Sequence, residues 1–321
     1  MKYSYYPGCS LEKNAAAYNI STMAVAKPLG IEFDELDDWN CCGATEYIAL
    51  NKMAAYTLVA RNLVLAKQKG VDQHLVAPCS ACFLNLSKAE SYLAEDQALA
   101  QKVNVALGAG GLYYDERRLR VRHLLDIIVN DVGYDAIAAK VVKPLKGLRI
   151  APYYGCLIVR PAFQGVFDDH EQPQTLDKLM KTLGAKVIDF PLKANCCGGH
   201  MTQISEPVAM DLINRILKNA MDYEADLIVT LCPMCQLNLD AYQENVNRFY
   251  KTNYHLPVLY FTQMIGLALG MSAQELGIGK ELVDARPALA KIGVEVPEPE
   301  APKKKRPSKE ELPMPGMRKE E

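Results

Sequence analysis

Trp39-Asn40-Cys41-Cys42-Gly43 and Ala194-Asn195-Cys196-Cys197-Gly198 decide how this chain is read. Working outward from each pair, a lone cysteine stands upstream and a C-x2-C step stands downstream. The two runs are C-x31-C-C-G-x35-C-x2-C, built on Cys9, Cys41, Cys42, Cys79 and Cys82, and C-x39-C-C-G-x33-C-x2-C, built on Cys156, Cys196, Cys197, Cys232 and Cys235. Together they use all 10 cysteines of the 321-residue chain. The flanks agree as well: Tyr5-Tyr6-Pro7-Gly8-Cys9 matches Tyr153-Tyr154-Gly155-Cys156, and Ala77-Pro78-Cys79-Ser80-Ala81-Cys82 matches Leu231-Cys232-Pro233-Met234-Cys235-Gln236. Self-similarity at this level marks an internal duplication. The boundary falls near Pro144 to Leu148, giving halves 1–146 and 147–296 and a tail 297–321.

Between the cysteines, short apolar runs alternate with helix-period segments. Strands are expected at Lys2–Tyr6, Ile31–Phe33 and His74–Ala77, and helices at 13–26, 46–69 and from Cys79 onward; Gly70 ends the long helix and His123 opens a last one. The second half repeats the order, with strands at 148–152, 186–190, 227–231 and 257–260 and helices at 175–183, 208–221, 233–250 and 261–269. The fold class is therefore α/β: two duplicated halves, each a small parallel sheet flanked by helices. The cysteines fall at strand-to-helix junctions, the carboxyl ends where open α/β sheets hold ligands. The tail carries Pro297, Pro299, Pro302, Pro307, Pro313 and Pro315 around Lys303-Lys304-Lys305-Arg306, a composition expected to be disordered.

Composition narrows the function classes. Hydrophobic residues make up 50% and the formal charge is −2, so no global positive field points to nucleic acid. No apolar run approaches the roughly 18 residues of a membrane span, and the N-terminus lacks a signal-peptide core. A cytoplasmic chain is expected. In a reducing compartment, cysteines at motif spacing point to metal binding or catalysis rather than disulfides.

Buried cysteines can be mere small hydrophobes, but adjacent pairs and C-x2-C steps, twice over, argue against that. Zinc takes four ligands, and C-x2-C is an ordinary half-site. Five thiols exceed that number, and a neighbouring pair is an awkward source of two tetrahedral corners. Iron–sulfur clusters take thiolates, and a fifth thiol suggests an unusual ligand count with one thiolate bridging two irons. Gly43 and Gly198 let the backbone turn beside a bulky group. Cys79 and Cys232 stand at expected helix starts, where the dipole favours thiolate. Gly108-Ala109-Gly110-Gly111 reads as a turn, not a nucleotide loop. No flavin or nicotinamide site is visible, so electrons would come from a partner.

The doubled C…C-C-G…C-x2-C pattern resembles the duplicated cysteine-rich CCG domain of the heterodisulfide reductase HdrB family, over about residues 2–270. That resemblance implies one noncubane [4Fe-4S] cluster on Cys9, Cys41, Cys42, Cys79 and Cys82. It implies a second on Cys156, Cys196, Cys197, Cys232 and Cys235, with one cluster plus a zinc ion as the alternative. It also implies an oxidoreductase of the heterodisulfide reductase kind, acting on a sulfur group within a complex. Its partners there would be an iron–sulfur protein of the HdrC type and a flavin protein of the HdrA type. The substrate would be a thiol disulfide bound between the halves. Two alternatives are a sulfur-oxidising component that acts on carrier-bound sulfur and a non-catalytic electron conduit of a quinone-linked dehydrogenase.

Other residues enter singly. His200, close after the second cysteine pair, is a candidate proton donor. Lys193 and Arg160 are candidates for attracting an anionic substrate. His74, His123, His170 and His255 have no partner spacing and read as structural.

Overall fold

The structure, a computed structural model, describes residues 1–44, 47–70, 74–115, 119–160 and 168–298. The tail expected to be disordered lies outside them from residue 299 on, as does Glu46.

Two four-stranded sheets form, each entirely parallel. The first contains β1 (Lys2–Tyr5), β2 (Glu32–Glu35), β3 (His74–Ala77) and β4 (Arg120–His123). The second contains β5 (Arg149–Tyr153), β6 (Lys186–Val187), β7 (Leu227–Thr230) and β8 (Val258–Tyr260). Their orders are β2-β1-β3-β4 and β6-β5-β7-β8, the same topology twice. Central strands read as continuous apolar runs because helices cover both faces, as Leu227-Ile228-Val229 shows.

Local chemistry explains the main helices. Asn51 caps helix Lys52–Lys69, its side chain accepting the Ala54 N–H at 3.0 Å, and Gly70 ends it in the left-handed conformation at φ 69°. Cys79 and Cys232 are the N-cap residues of helices Ser80–Glu95 and Pro233–Ala241. The halves meet where helix Ala16–Ala26 packs on helix Phe261–Ala268. There Ser21 Oγ and Thr262 Oγ1 share a hydrogen bond of 2.7 Å, and Tyr18 stacks on Tyr260 at 4.3 Å between ring centroids.

The structure departs from the sequence expectation in places. β4 runs through Arg120–His123, where the sequence suggests only a helix start. Its Arg122 is buried because Asp126 and Asp131 neutralise it, at 2.6 and 2.5 Å. A further helix forms at Gln97–Gly108 without a sequence expectation, and the Gly108–Gly111 run is the turn that ends it. The expected helix 233–250 breaks at Tyr242 into Pro233–Ala241 and Gln243–Tyr250. The expected strand 186–190 is only two residues long and gives way to a 3-10 turn at Pro191–Ala194. Among the described residues, no helix is long and apolar enough to cross a membrane.

Candidate metal centre

All ten thiols lie beyond the carboxyl ends of the strands. Cys9 and Cys156 follow β1 and β5, and Cys79 and Cys232 follow β3 and β7. Each half divides its thiols alike. Cys42, Cys79 and Cys82 are buried, as are Cys197, Cys232 and Cys235; Cys9, Cys41 and Cys196 are exposed and Cys156 is half-buried.

Within the first half, Cys9 and Cys41 Sγ lie 3.8 Å apart and Cys42 and Cys82 Sγ 3.2 Å. In the second, Cys197 and Cys235 are 3.5 Å apart. Cys79 interacts both with Cys82 of its own half and with Cys232 of the other, and Cys232 interacts in turn with Cys235. The buried thiols of the two sets thus form one run, Cys42-Cys82-Cys79-Cys232-Cys235-Cys197, crossing from half to half. Cys156 and Cys196 form a separate outer pair.

The same backbone devices hold both sets. Gly8 and Gly155 adopt φ of 75° and 68°, and a Cβ on either would sit 2.9 Å from the Sγ of Cys82 or Cys235. Only glycine fits such an approach. The Tyr6 hydroxyl donates to the Asn40 carbonyl at 2.8 Å and that of Tyr153 to the Asn195 carbonyl at 2.6 Å, tethering the residue before each cysteine pair. Asn85 Nδ2 donates to the Cys42 carbonyl at 3.1 Å. Asn238 Nδ2 donates to the Cys197 carbonyl at 3.2 Å and to the Gly199 carbonyl at 2.8 Å. Sequence reasoning passes over these asparagines, although C-x2-C-x2-N is legible in both repeats. Tyr18 ties the halves together: its hydroxyl lies 3.0 Å from the Pro78 carbonyl and 3.3 Å from the Leu231 carbonyl, just before Cys79 and Cys232.

Electrostatics favour ionisation of one thiol in each outer pair, while its hydrogen-bonded partner, Cys9 or Cys156, is pushed up. Hydrogen bonds from Cys42 and Cys9 draw the Cys41 thiol down. Cys156 and the Gly198 N–H do the same for Cys196, to about 6. Thiolate is the form that ligates metal. Among the described residues, no three His, Cys, Asp or Glu side chains gather about a single point as a mononuclear ion requires. The thiols are strung out instead, and an all-sulfur donor set spread over several positions is chemically suited to a polynuclear iron–sulfur group.

The other candidates are placed differently. Lys193 is buried, with its ammonium 3.1 Å from both Asp177 and Asp189. Its carbonyl accepts the N–H groups of Tyr154 and Gly155, so it braces the Cys156 loop from below. Arg160 donates to the Ala194 carbonyl at 2.6 Å and pairs with Glu171 at 3.4 Å. His200 lines a cleft of about 260 Å³ between the halves. Ser10 and Asn14 come to this cleft from the first half, and Thr202, Gln236 and Tyr242 from the second; among the described residues, no Lys, Arg, Asp or Glu side chain lines it. A larger cavity of about 800 Å³ includes Asp226 and Pro257, at the opposite, amino-terminal ends of β7 and β8.

His123, expected to be structural, caps the short helix after β4. It ends β4 and is fully buried, and burial pushes its pKa down to about 4. Nδ1 accepts the Leu125 N–H at 3.0 Å, while Nε2 has no hydrogen-bond partner among the described residues. A buried unsatisfied donor costs about 1–3 kcal/mol.

Comparison with known proteins agrees with this doubled arrangement. The chain matches the cysteine-rich CCG domain over residues 3–87 and again over 150–240. It is 35% identical over 284 residues to the 8-methylmenaquinol:fumarate reductase membrane anchor subunit of Wolinella succinogenes, covering 88% of this chain and 98% of that protein. It is 29% identical over 294 residues to the B subunit of the ferredoxin/F420H2-dependent CoB-CoM heterodisulfide reductase of Methanosarcina acetivorans, covering 91% and 97%. A protein of Archaeoglobus profundus described as like the B subunit of heterodisulfide reductase is 29% identical over 283 residues, covering 86% and 93%. A hypothetical protein from Helicobacter pylori shares the fold, with a TM-score of 0.71 at 16% identity. That match covers 88% of this chain but only 52%, about half, of the other.

Proposed function

Because the chain belongs to the cysteine-rich CCG domain family and carries that domain twice, we propose that it is the HdrB-like, iron–sulfur component of a multi-protein oxidoreductase. Each set of five thiols holds one noncubane [4Fe-4S] cluster. Such clusters supply one-electron transfers. The observation that carries the reading is that the two sets adjoin: the Tyr18 hydroxyl lies 3.0 Å from the Pro78 carbonyl and 3.3 Å from the Leu231 carbonyl, the residues directly before Cys79 and Cys232. Two one-electron centres that adjoin can serve a two-electron reaction without releasing a half-reduced product. The chain's part is to hold the thiols at the strand ends, fix the pair loops through Asn85 and Asn238, and keep the inner sulfurs away from water. Electrons arrive from partner proteins, an iron–sulfur protein of the HdrC type and a flavin protein of the HdrA type in the heterodisulfide reductase arrangement.

Two kinds of two-electron partner follow. The first is a disulfide or carrier-bound sulfur meeting the centres between the halves, with His200 as proton donor at the cleft and Lys193 and Arg160 as the available basic residues. The direction of such a couple follows its potential, ~30 mV being worth ~1.4 kcal/mol for two electrons. The second is a quinol, in a complex resembling a quinol-linked fumarate reductase. Two observations favour the second. The relative at 35% identity over 98% of its length belongs to an 8-methylmenaquinol:fumarate reductase. The cleft beside the thiols is lined by neutral hydrogen-bonding side chains, while Lys193 and Arg160 are already engaged by Asp177, Asp189, Glu171 and a carbonyl. An anionic disulfide would call for free cations.

The test uses the complex purified anaerobically, with Cys42→Ser and Cys197→Ser variants. Each variant is expected to lose iron from its own half and to abolish two-electron turnover. Full turnover with one cluster missing would defeat the paired reading. Supplying a naphthoquinol and a thiol disulfide in parallel identifies the partner: turnover with the quinol alone selects the second reading, and with the disulfide alone the first.

A further inference from the structure

We propose that the cleft of about 260 Å³ between the halves is the binding site of a quinol head group, that it opens chiefly on the second thiol set, and that Tyr242 is the residue that holds the head group there. The inference rests on the quinol reading given above and adds to it the place and the residue.

The walls set the ligand class. Ala15, Pro233 and Met234 supply apolar surface, and Asn14, Thr202 and Gln203 supply neutral hydrogen-bonding groups. A flat apolar ring with a hydroxyl at either end needs both. Pockets for drug-sized ligands measure roughly 300–1,000 Å³. This smaller cleft takes the ring and leaves the tail of a lipid-soluble quinol outside.

The side it opens on follows from the chain. Pro233 and Met234 stand between Cys232 and Cys235, His200 comes three residues after Cys197, and Asn238 donates to the Cys197 carbonyl. From the first half the cleft receives only the turn after Cys9, at Ser10, Asn14 and Ala15. Among the described residues, no sequence neighbour of Cys41, Cys42, Cys79 or Cys82 lines it.

The duplication shows how the second half came to be open here. Laying one C-x2-C step on the other puts Phe83 in the place of Gln236 and Ala89 in the place of Tyr242. Both are buried, and Phe83 packs edge-on against His123 with centroids 5.8 Å apart. Helix Ser80–Glu95 runs unbroken through Ala89, whereas helix Pro233–Ala241 stops at Tyr242, where φ is −99° and ψ is 8°. One half has closed this face with apolar packing; the other breaks its helix and puts a phenol on the cleft wall. Gln236 and Asn238, on the same helix, already serve Asp240, Tyr260 and the Cys197 carbonyl. Tyr242 is the neighbour with a hydroxyl to offer a ligand.

The experiment first measures binding of a redox-inert quinol analogue, a short-chain alkyl 4-hydroxyquinoline N-oxide, to the iron-loaded full chain by calorimetry. Wild type is compared with Tyr242→Phe and Leu237→Trp. Phe keeps the ring and removes the hydroxyl, and is expected to weaken binding about fivefold, as the loss of one hydrogen bond does. Trp fills the cleft from the wall that Leu237 forms, and is expected to weaken binding by about tenfold or more. In the purified complex, KM for a naphthoquinol should rise by the same factors while kcat of Tyr242→Phe stays near wild type. The analogue should also alter the paramagnetic signal that Cys197→Ser removes and spare the one that Cys42→Ser removes. No binding by wild type, or unchanged affinity in both variants, overturns the cleft as the site; unchanged affinity in Tyr242→Phe alone overturns the role of Tyr242. If Leu237→Trp does not fold, Tyr242→Phe, which loses a single oxygen, decides alone. A signal change confined to the first set's centre overturns the sidedness. A wild-type complex that turns over no quinol defeats the underlying quinol reading instead, whereas quinol turnover with both variants matching wild type leaves that reading standing and defeats this one.

Discussion

The two halves place their thiols in the same way and support them in different ways. Gly8 and Gly155, Tyr6 and Tyr153, Asn40 and Asn195, and Asn85 and Asn238 occupy matching places and make matching contacts. Around them the halves diverge. In the first, Asn62 holds Asn40, accepting its N–H at 3.0 Å and donating to its carbonyl at 2.9 Å, and Trp39 packs edge-on against Tyr6. In the second, a buried Lys193–Asp177 pair, with the Tyr154 hydroxyl donating to Asp177, carries the loop before Cys156. What the duplication has kept is the set of contacts that touch the sulfur-bearing backbone. Layers further out have been free to change, so the halves should fail differently when those layers are disturbed.

The largest expected effect is confined to the second half. Lys193→Met leaves Asp177 buried without its cation and should cost about 3–5 kcal/mol, read as a fall in denaturation midpoint. Burial already raises the pKa of Asp177, and removing Lys193 raises it further. The folded variant then binds a proton more readily than the unfolded chain, so its stability rises as pH falls. The deficit relative to wild type should narrow from pH 7 towards pH 5; a deficit that widens would contradict this account of Asp177. Next come Gly8→Ala and Gly155→Ala. Each forces a Cβ into a left-handed conformation against a thiol, costing about 1–3 kcal/mol of backbone strain. Each should lower the metal bound by its own half and leave the other half loaded.

Smaller effects sharpen the comparison further. Asn238→Ala frees two carbonyls and Asn85→Ala one, so chemical denaturation should show losses of about 2 and about 1 kcal/mol. Equal losses would mean that the Gly199 contact contributes nothing. Tyr18→Phe keeps the stacking on Tyr260 but removes the hydroxyl between Pro78 and Leu231, at a cost of about 1 kcal/mol. That change should loosen the halves together, visible as faster amide exchange in both C-x2-C helices.

The doubled sequence makes much of this legible. The order of cysteines, the two repeats and the alternation of strand and helix all follow from residue type and spacing, because thiols and glycines at fixed positions are required by backbone geometry. β4 is not legible in the same way. Arg120-Val121-Arg122-His123 does not resemble a buried strand until Arg122 is seen paired with Asp126 and Asp131. Lys193 reads as an exposed cation because a charge in sequence does not reveal its partner, although Asp189 stands four residues before it. Asn85 and Asn238 emerge once the repeats are laid over each other. The burial of His123 does not, since the ring lies by Pro78 and Leu231, residues of different halves that only folding brings together.

The central claim is that two iron–sulfur centres adjoin where Cys79 meets Cys232. Its most direct test is paramagnetic resonance of the anaerobically purified, fully reduced protein, combined with iron and acid-labile sulfide analysis of the wild type and of a cysteine-to-serine variant in each half. The account predicts iron and sulfide in both halves and a magnetic interaction between the two centres that disappears when either half is emptied. Iron in one half only, or two centres that never sense each other, would contradict it.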